Sequence, residues 1–229
     1  MADAPLVSPP SGAWPGRVLL AGGTGAVGQQ LLARLATHAG VSELKVLLRR
    51  PFPLPARAQA LHTSWQDLAD HPDWFQVDTV FCALGTTIRQ AGSQEAFRRV
   101  DHDHVLALAC QAKAHGARQF LVVSALGADA RSRVFYNRVK GELEDALRQL
   151  TLDGLVIARP SLLLDGRAHL GQPPRMAESL TIPLARWAAP LIPATYRPIH
   201  AAAVARALLH AVPTAQGVRV LSSGEMAAG

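Results

Sequence analysis

Two cysteines, Cys82 and Cys110, are too few for a disulfide framework. Both fall in apolar stretches, which predicts buried free thiols without a chemical role. No run of about 18 apolar residues occurs anywhere in the 229-residue chain, so no membrane span is expected. Aromatic residues make up 5% and are not interleaved with basic ones. The basic residues, nearly all arginine, are spread along the chain, so the formal net charge of +6 does not describe a nucleic-acid-binding surface and suits anionic small ligands instead. Residues 1–16 lack both a basic n-region and a continuous apolar h-region. They read as a loose leader with no export signal, and a cytoplasmic protein is expected. Internal repeats and low-complexity blocks are absent as well. What is plentiful is apolar residues, 49% of the total, enough for one well-filled α/β domain over residues 17–229.

That domain is organised around Arg17-Val18-Leu19-Leu20-Ala21 running into Gly22-Gly23-Thr24-Gly25-Ala26-Val27-Gly28. The pattern predicts a strand, a tight turn and a helix whose apolar face carries Leu31, Leu32 and Leu35. Glycines at 23, 25 and 28 match G-x-G-x-x-G, and their missing side chains let a dinucleotide diphosphate approach the backbone, while the helix offers its free N–H groups and positive dipole end. The next strand, Glu43 to Leu48, ends in Arg49-Arg50. An acid at this distance from the glycines takes ribose hydroxyls, whereas arginine accommodates a 2′-phosphate, so the pair favours NADPH over NADH. Pro51, Pro53 and Pro55 then mark a surface loop.

Further along, Leu61 to Trp65 reads as a short strand. Asp67 is placed equally well at the adenine end of the cofactor or as the N-cap of a helix over Leu68 to Trp74. A fourth strand, Asp78 to Cys82, runs into the small-residue turn Ala83-Leu84-Gly85-Thr86-Thr87, where Gly85 permits close approach of a flat ring. A long helix is expected over Gln94 to His115. Its Asp101-His102-Asp103-His104 run splays around the helix and does not converge on a metal ion; some of these groups are expected to brace nearby loops. Gln119 to Val123 is a near-continuous apolar strand ending at Ser124, and carboxyl ends of such strands are where open α/β sheets hold ligands. A helix beginning near Phe135 then presents Tyr136 and Lys140 one turn apart.

Carbonyl reduction needs a proton at oxygen as hydride reaches carbon. A tyrosine phenol supplies it if its pKa falls from about 10 towards neutrality, and a lysine cation one turn away favours that fall. Ser124 is expected to orient the substrate oxygen, and Lys140 also to hold the nicotinamide ribose. Gly154 to Arg159 forms a sixth strand, residues 161–200 a small substrate-pocket segment, Ala201 to Val212 a packing helix, and Val218 to Leu221 the last strand. Met176 to Ala189 has an apolar side with Leu180, Leu184 and Trp187, expected to pack on the chain's own core. Arg167, Arg175 and Arg197 suggest a polar or anionic substrate.

These motifs occur together and in order: the glycine turn, Cys82 to Thr87 with Ala91-Gly92, Arg99-Val100-Asp101-His102-Asp103, Ser124-Ala125-Leu126-Gly127-Ala128, Tyr136-Asn137-Arg138-Val139-Lys140-Gly141-Glu142, and Arg159-Pro160-Ser161. Together they resemble the short-chain dehydrogenase/reductases, in the atypical branch that includes the Tat-interacting-protein oxidoreductase and NmrA-like proteins. The resemblance implies a Rossmann-type doubly wound parallel sheet and NADPH as cofactor. It implies Ser124, Tyr136 and Lys140 as the catalytic set, with cofactor contacts from Gly22 to Gly28, from Ala83, Leu84, Gly85 and Thr86, and from Pro160 and Leu162. It further implies a small carbonyl or alcohol substrate and a homodimer packed through two long helices. Departures are visible: Ala83-Leu84-Gly85 replaces Asn-Ala-Gly, and no helix-borne catalytic Asn is evident. An NADP(H)-binding regulator with little turnover is the alternative reading of the same residues.

Overall fold

A computed structural model of the chain describes Trp14, residues 16–164 and residues 193–229. Strands β1 (Arg17–Ala21), β2 (Glu43–Leu48), β4 (Thr79–Cys82), β5 (Gln119–Val123) and β6 (Gly154–Arg159) are almost wholly buried along their length. Strands apolar on both faces are stable only between two helical layers, the condition of a parallel sheet. With the edge strands β3 (Ala58–His62) and β7 (Gly217–Ser222) they form a seven-stranded sheet in the order β3-β2-β1-β4-β5-β6-β7, every pairing parallel. This is the expected doubly wound Rossmann-type topology. The order reverses between β1 and β4, opening a crevice at their carboxyl ends.

Helices α1 (Ala26–Thr37) and α6 (Ala201–Ala211) cover one face, with Leu31, Leu35, Val204 and Leu208 fully buried on Val18, Leu20, Val46 and Phe81. Helices α4 (His104–Ala114) and α5 (Phe135–Gln149) cover the other, where Leu108, Leu143 and Leu147 pack on Val80, Phe120 and Ile157. Short helices α2 (Ile88–Ala91) and α3 (Gln94–Arg98) precede α4, and α7 (Ser223–Ala228) follows β7 with a Ser222/Glu225 capping box.

Four local expectations are corrected. The long helix from Gln94 is not regular: between α3 and α4 lies a π-helical turn, Arg99–Asp103. Cys110 is exposed, because α4 buries Leu108, Ala109 and Ala112 and turns residue 110 outward; only Cys82 is buried. The helix expected over residues 68–74 is two 3-10 turns, Leu68–Asp70 and Pro72–Phe75, divided at His71, whose φ of −126° and ψ of 64° are not helical, just before Pro72. Strand β3 lies three residues earlier than Leu61 to Trp65 implied, paired Ala58 to Leu44 through His62 to Leu48. Residues 165–192, with Arg167, Arg175 and the segment Met176 to Ala189, lie outside the described residues.

Candidate active site

The glycine turn closes as its spacing requires. Gly22 has φ of +80°, and a Cβ there would stand 2.4 Å from the Ala83 carbonyl, so the turn after β1 packs directly on the backbone that leaves β4. A Cβ on Gly28 would stand 1.9 Å from the Gly22 carbonyl oxygen, which sets how closely α1 approaches the strand. The Gly25 amide donates to that same oxygen at 3.1 Å, whereas a Cβ on Gly25 would meet nothing nearer than 3.6 Å. The open side of the turn is therefore at Gly25, flanked by exposed Thr24. Gly25 caps α1 with no side chain, and the first turn of α1, Ala26-Val27-Gly28, carries no acid. An anionic diphosphate fits this end of the helix, where no side chain among the described residues caps it.

Arg49 and Arg50 follow β2 as exposed residues. Across the crevice His104, at the start of α4, stacks on Trp65 with centroids 5.2 Å apart and rings 9° from parallel. Burial, together with the charges of Arg99 and Arg49 and against that of Asp103, holds His104 below the ordinary histidine value. Trp65 has φ of 71°, held by its amide donating to Thr63 Oγ1 at 2.8 Å. The Thr63 hydroxyl in turn donates to Asp67 Oδ1 at 2.8 Å, and the Ser64 amide reaches Asp67 Oδ2 at 3.3 Å. Asp67 stands at the N-cap position of the 3-10 turn Leu68–Asp70, but its side chain makes no capping hydrogen bond there. It closes the loop that carries Trp65, and the Thr63 hydrogen bond keeps its carboxyl below the usual range.

The expected acid/base pair stands on the opposite side of the crevice. Tyr136 and Lys140 open α5, and Lys140 is buried with its Nζ 2.7 Å from Asp101 Oδ1. The second oxygen of Asp101 accepts the Thr86 amide at 2.8 Å, so one buried carboxylate ties the helix of Lys140 to the loop after β4. The extra residue of the π turn brings Asp101 to this position, facing inward while its neighbours His102 and Asp103 pair at the surface. Tyr136 packs against Phe97 of α3, centroids 5.3 Å apart. Burial alone would lower Lys140, but the Asp101 carboxylate outweighs it, with help from Tyr136, and Lys140 titrates above the ordinary lysine value. The phenol of Tyr136 moves opposite to expectation: burial raises it, and the lowering by Lys140 is opposed by Asp101. Cys82 lies in the same cluster, its thiol pushed up to about 12 by burial.

Ser124 sits at the end of β5 as expected, but its hydroxyl donates inward to Glu144 Oε1 at 2.6 Å. Glu144 is fully buried and also takes Arg159 Nε at 2.9 Å, Arg159 Nη2 at 2.5 Å and Arg148 Nη2 at 3.2 Å. The proton that was expected to orient a substrate oxygen is thus committed to the protein. Tyr136, Lys140 and Glu144 occupy successive turns of α5, and continuing that four-residue spacing was the signal by which Glu144 was detectable. Pro160 is buried, its carbonyl accepting the Leu126 amide at 2.9 Å, which fastens the loop after β5 to the segment after β6. Leu162, expected to touch the cofactor, is 67% exposed.

The NAD(P)H-binding family model matches residues 22–188. A protein of Eremothecium gossypii named FMP52, mitochondrial, is 36% identical over 150 residues, 65% of this chain and 67% of that protein. Protein HTATIP2 of Rattus norvegicus is 36% identical over 157 residues, 66% of this chain and 64% of that protein. The match thus spans about two thirds of these relatives' length. In fold the chain resembles a short-chain dehydrogenase/reductase from Burkholderia thailandensis (TM-score 0.63, 18% identity, 94% of both chains) and MoeE5, solved with UDP-glucose and NAD (TM-score 0.67, 18% identity, 92% of this chain and 79% of that one). The cytoplasmic expectation is overturned by the relatives named mitochondrial in Eremothecium gossypii, Candida albicans and Saccharomyces cerevisiae. An absent apolar h-region does not bear on organellar import, since transit peptides are amphipathic and carry none. The glycine turn, the switch-point crevice and these matches place the chain in the NAD(P)H-binding family, with relatives that include FMP52 and HTATIP2.

Proposed function

We propose that the protein is an NADPH-dependent oxidoreductase that reduces a small carbonyl compound, or oxidises the corresponding alcohol, in the compartment its FMP52 relatives are named for. The observation that carries this reading is the Asp101 bridge. Through its two oxygens the helix bearing Tyr136 and Lys140 is joined to Thr86, in the loop that packs on the glycine turn, so an acid/base pair and a dinucleotide cradle share one crevice.

The bound nicotinamide supplies the hydride. Gly22 to Gly28 and the amino end of α1 would hold the diphosphate, Arg49 and Arg50 would take the 2′-phosphate, and Trp65 with His104 would wall the adenine end, in a loop closed by Asp67. Ala83, Leu84, Gly85 and Thr86 would border the nicotinamide. Tyr136 donates its phenol proton to the carbonyl oxygen as the carbon is reduced, and solvent restores that proton afterwards. Lys140 would hold the nicotinamide ribose with the donors that its pairing with Asp101 leaves, and with them the geometry of the phenol. Ser124 acts by fastening α5 to the end of β5 through Glu144, a positioning part in place of direct contact with the substrate.

The test is turnover of NADPH by the full chain against a broad carbonyl panel. Tyr136→Phe is expected to keep NADPH affinity within about twofold and lose roughly 10²–10⁴-fold in turnover, the span of a positioned general acid. A wild-type protein that binds NADPH and reduces nothing on the panel overturns the enzyme reading in favour of a cofactor-binding regulator.

A further inference from the structure

Of the two buried acids among the described residues, Asp101 and Glu144, it is Asp101 whose charge acts on the phenol of Tyr136. We propose that Asp101 is a positioning residue that sets the direction for which the site is poised: by pairing with Lys140 and clamping the Thr86 amide, it cancels the ammonium charge and keeps Tyr136 a neutral phenol. The inference rests on Tyr136 being the acid of the reaction and adds what decides its resting protonation.

Among the described residues the pair is enclosed. Lys140 is 3% exposed and Asp101 1%, and they meet at 2.7 Å, where water does not screen the pair. The other oxygen of Asp101 is held by Thr86 at 2.8 Å, so the carboxylate has no freedom to swing away. Among the described residues, the titratable groups acting on Tyr136 are Lys140 on its own helix and Asp101 from the π turn; the neighbour on α3 is the apolar ring of Phe97, and Cys82 of β4 is a neutral thiol. A lone lysine in this place would draw the phenol towards phenolate. The carboxylate takes up that charge first, and burial then favours the uncharged phenol, in line with its upward shift. A protonated phenol is the form reduction requires: hydride goes to carbon, the phenol proton goes to oxygen, and the phenolate left behind recovers a proton from water. Oxidation of an alcohol needs phenolate at the outset and so is disfavoured until the pH is high.

The chain has two tyrosines, and Tyr196 is 61% exposed. In a Tyr196→Phe background, the ultraviolet absorbance of phenolate reports Tyr136 alone, without substrate or turnover. With Asp101 present the midpoint is expected above the free-tyrosine value of about 10. Asp101→Asn, of the same shape but uncharged, leaves Tyr136 as the nearest group able to balance Lys140, and the midpoint is expected to fall by one pH unit or more, a tenfold change. Asp101→Glu, which keeps the charge, is expected to return it towards the starting value. An unchanged or raised midpoint in folded Asp101→Asn overturns the proposal, and so does a Tyr136 that ionises below about 10 beside intact Asp101, a result available even if the Asn variant does not fold. Turnover surviving Tyr136→Phe removes the catalytic reading while leaving these midpoints as they are, so the two failures are distinguishable.

Discussion

Glu144 shows what single residues contribute here beyond chemistry. A fully buried carboxylate is tolerated because Ser124, Arg159 and Arg148 satisfy its oxygens between them, joining α5 to the ends of β5 and β6. Glu144→Ala leaves Arg159 and the Ser124 hydroxyl without this acceptor and Arg148 with Asp145 in its place, and is expected to lower the unfolding free energy by about 3–5 kcal/mol in urea denaturation. Ser124→Ala removes one donor from an acceptor that keeps its arginines, and about 1 kcal/mol is expected. The larger loss for Glu144 distinguishes an anchor from a substrate contact. Reading residue types along the chain identified Ser124, Tyr136 and Lys140 but not the partners of Ser124 and Lys140. Asp101 and Glu144 lie 39 and 20 residues away from Lys140 and Ser124, and no local pattern encodes a contact at that separation.

Among the elements, α5 depends most on close packing. A Cβ on Gly141 would stand 2.1 Å from the Ala130 amide nitrogen and 2.2 Å from the Asp129 carbonyl carbon, so the helix rests against that loop only because residue 141 has no side chain. Gly141→Ala is expected to cost about 1–3 kcal/mol, seen as a fall in Tm of a few degrees per kcal/mol for a domain of this size. It displaces the turn that carries Lys140 while leaving the glycine turn alone, so turnover should fall more than NADPH affinity. A titration of NADPH into the variant checks this. The elements themselves were largely legible: apolar strands and the amphipathic α1 follow from residue spacing. The π turn was not, because Gln94 to His115 has helical periodicity on both sides, and one inserted residue is decided by what Asp101 meets across the crevice.

At the scale of the molecule, the excess of positive charge and the sheet topology act together. The reversal of strand order between β1 and β4 opens the crevice, and exposed Arg49 and Arg50 stand on its β2 side. With a net charge of +6, binding of NADPH is expected to weaken with added salt, since exposed charges act through solvent with a screening length of about 8 Å at physiological ionic strength. Arg49→Ala combined with Arg50→Ala should weaken NADPH far more than NADH and flatten the salt dependence of NADPH. Equal loss for both cofactors in calorimetry would refute the 2′-phosphate assignment.

The sequence by itself determined the class of the fold and the cofactor family, because strand burial, helix periodicity and the glycine turn are local properties of backbone and spacing. It also placed the Tyr136–Lys140 pair on one helical face. Only the tertiary structure decided the electrostatics: the charge of Lys140 is balanced by Asp101, the hydroxyl of Ser124 donates to Glu144, and the phenol is pushed up instead of down. The reason is that the charge state of a buried group is set by whichever groups the fold brings within a few ångströms, and those come from other elements of the chain.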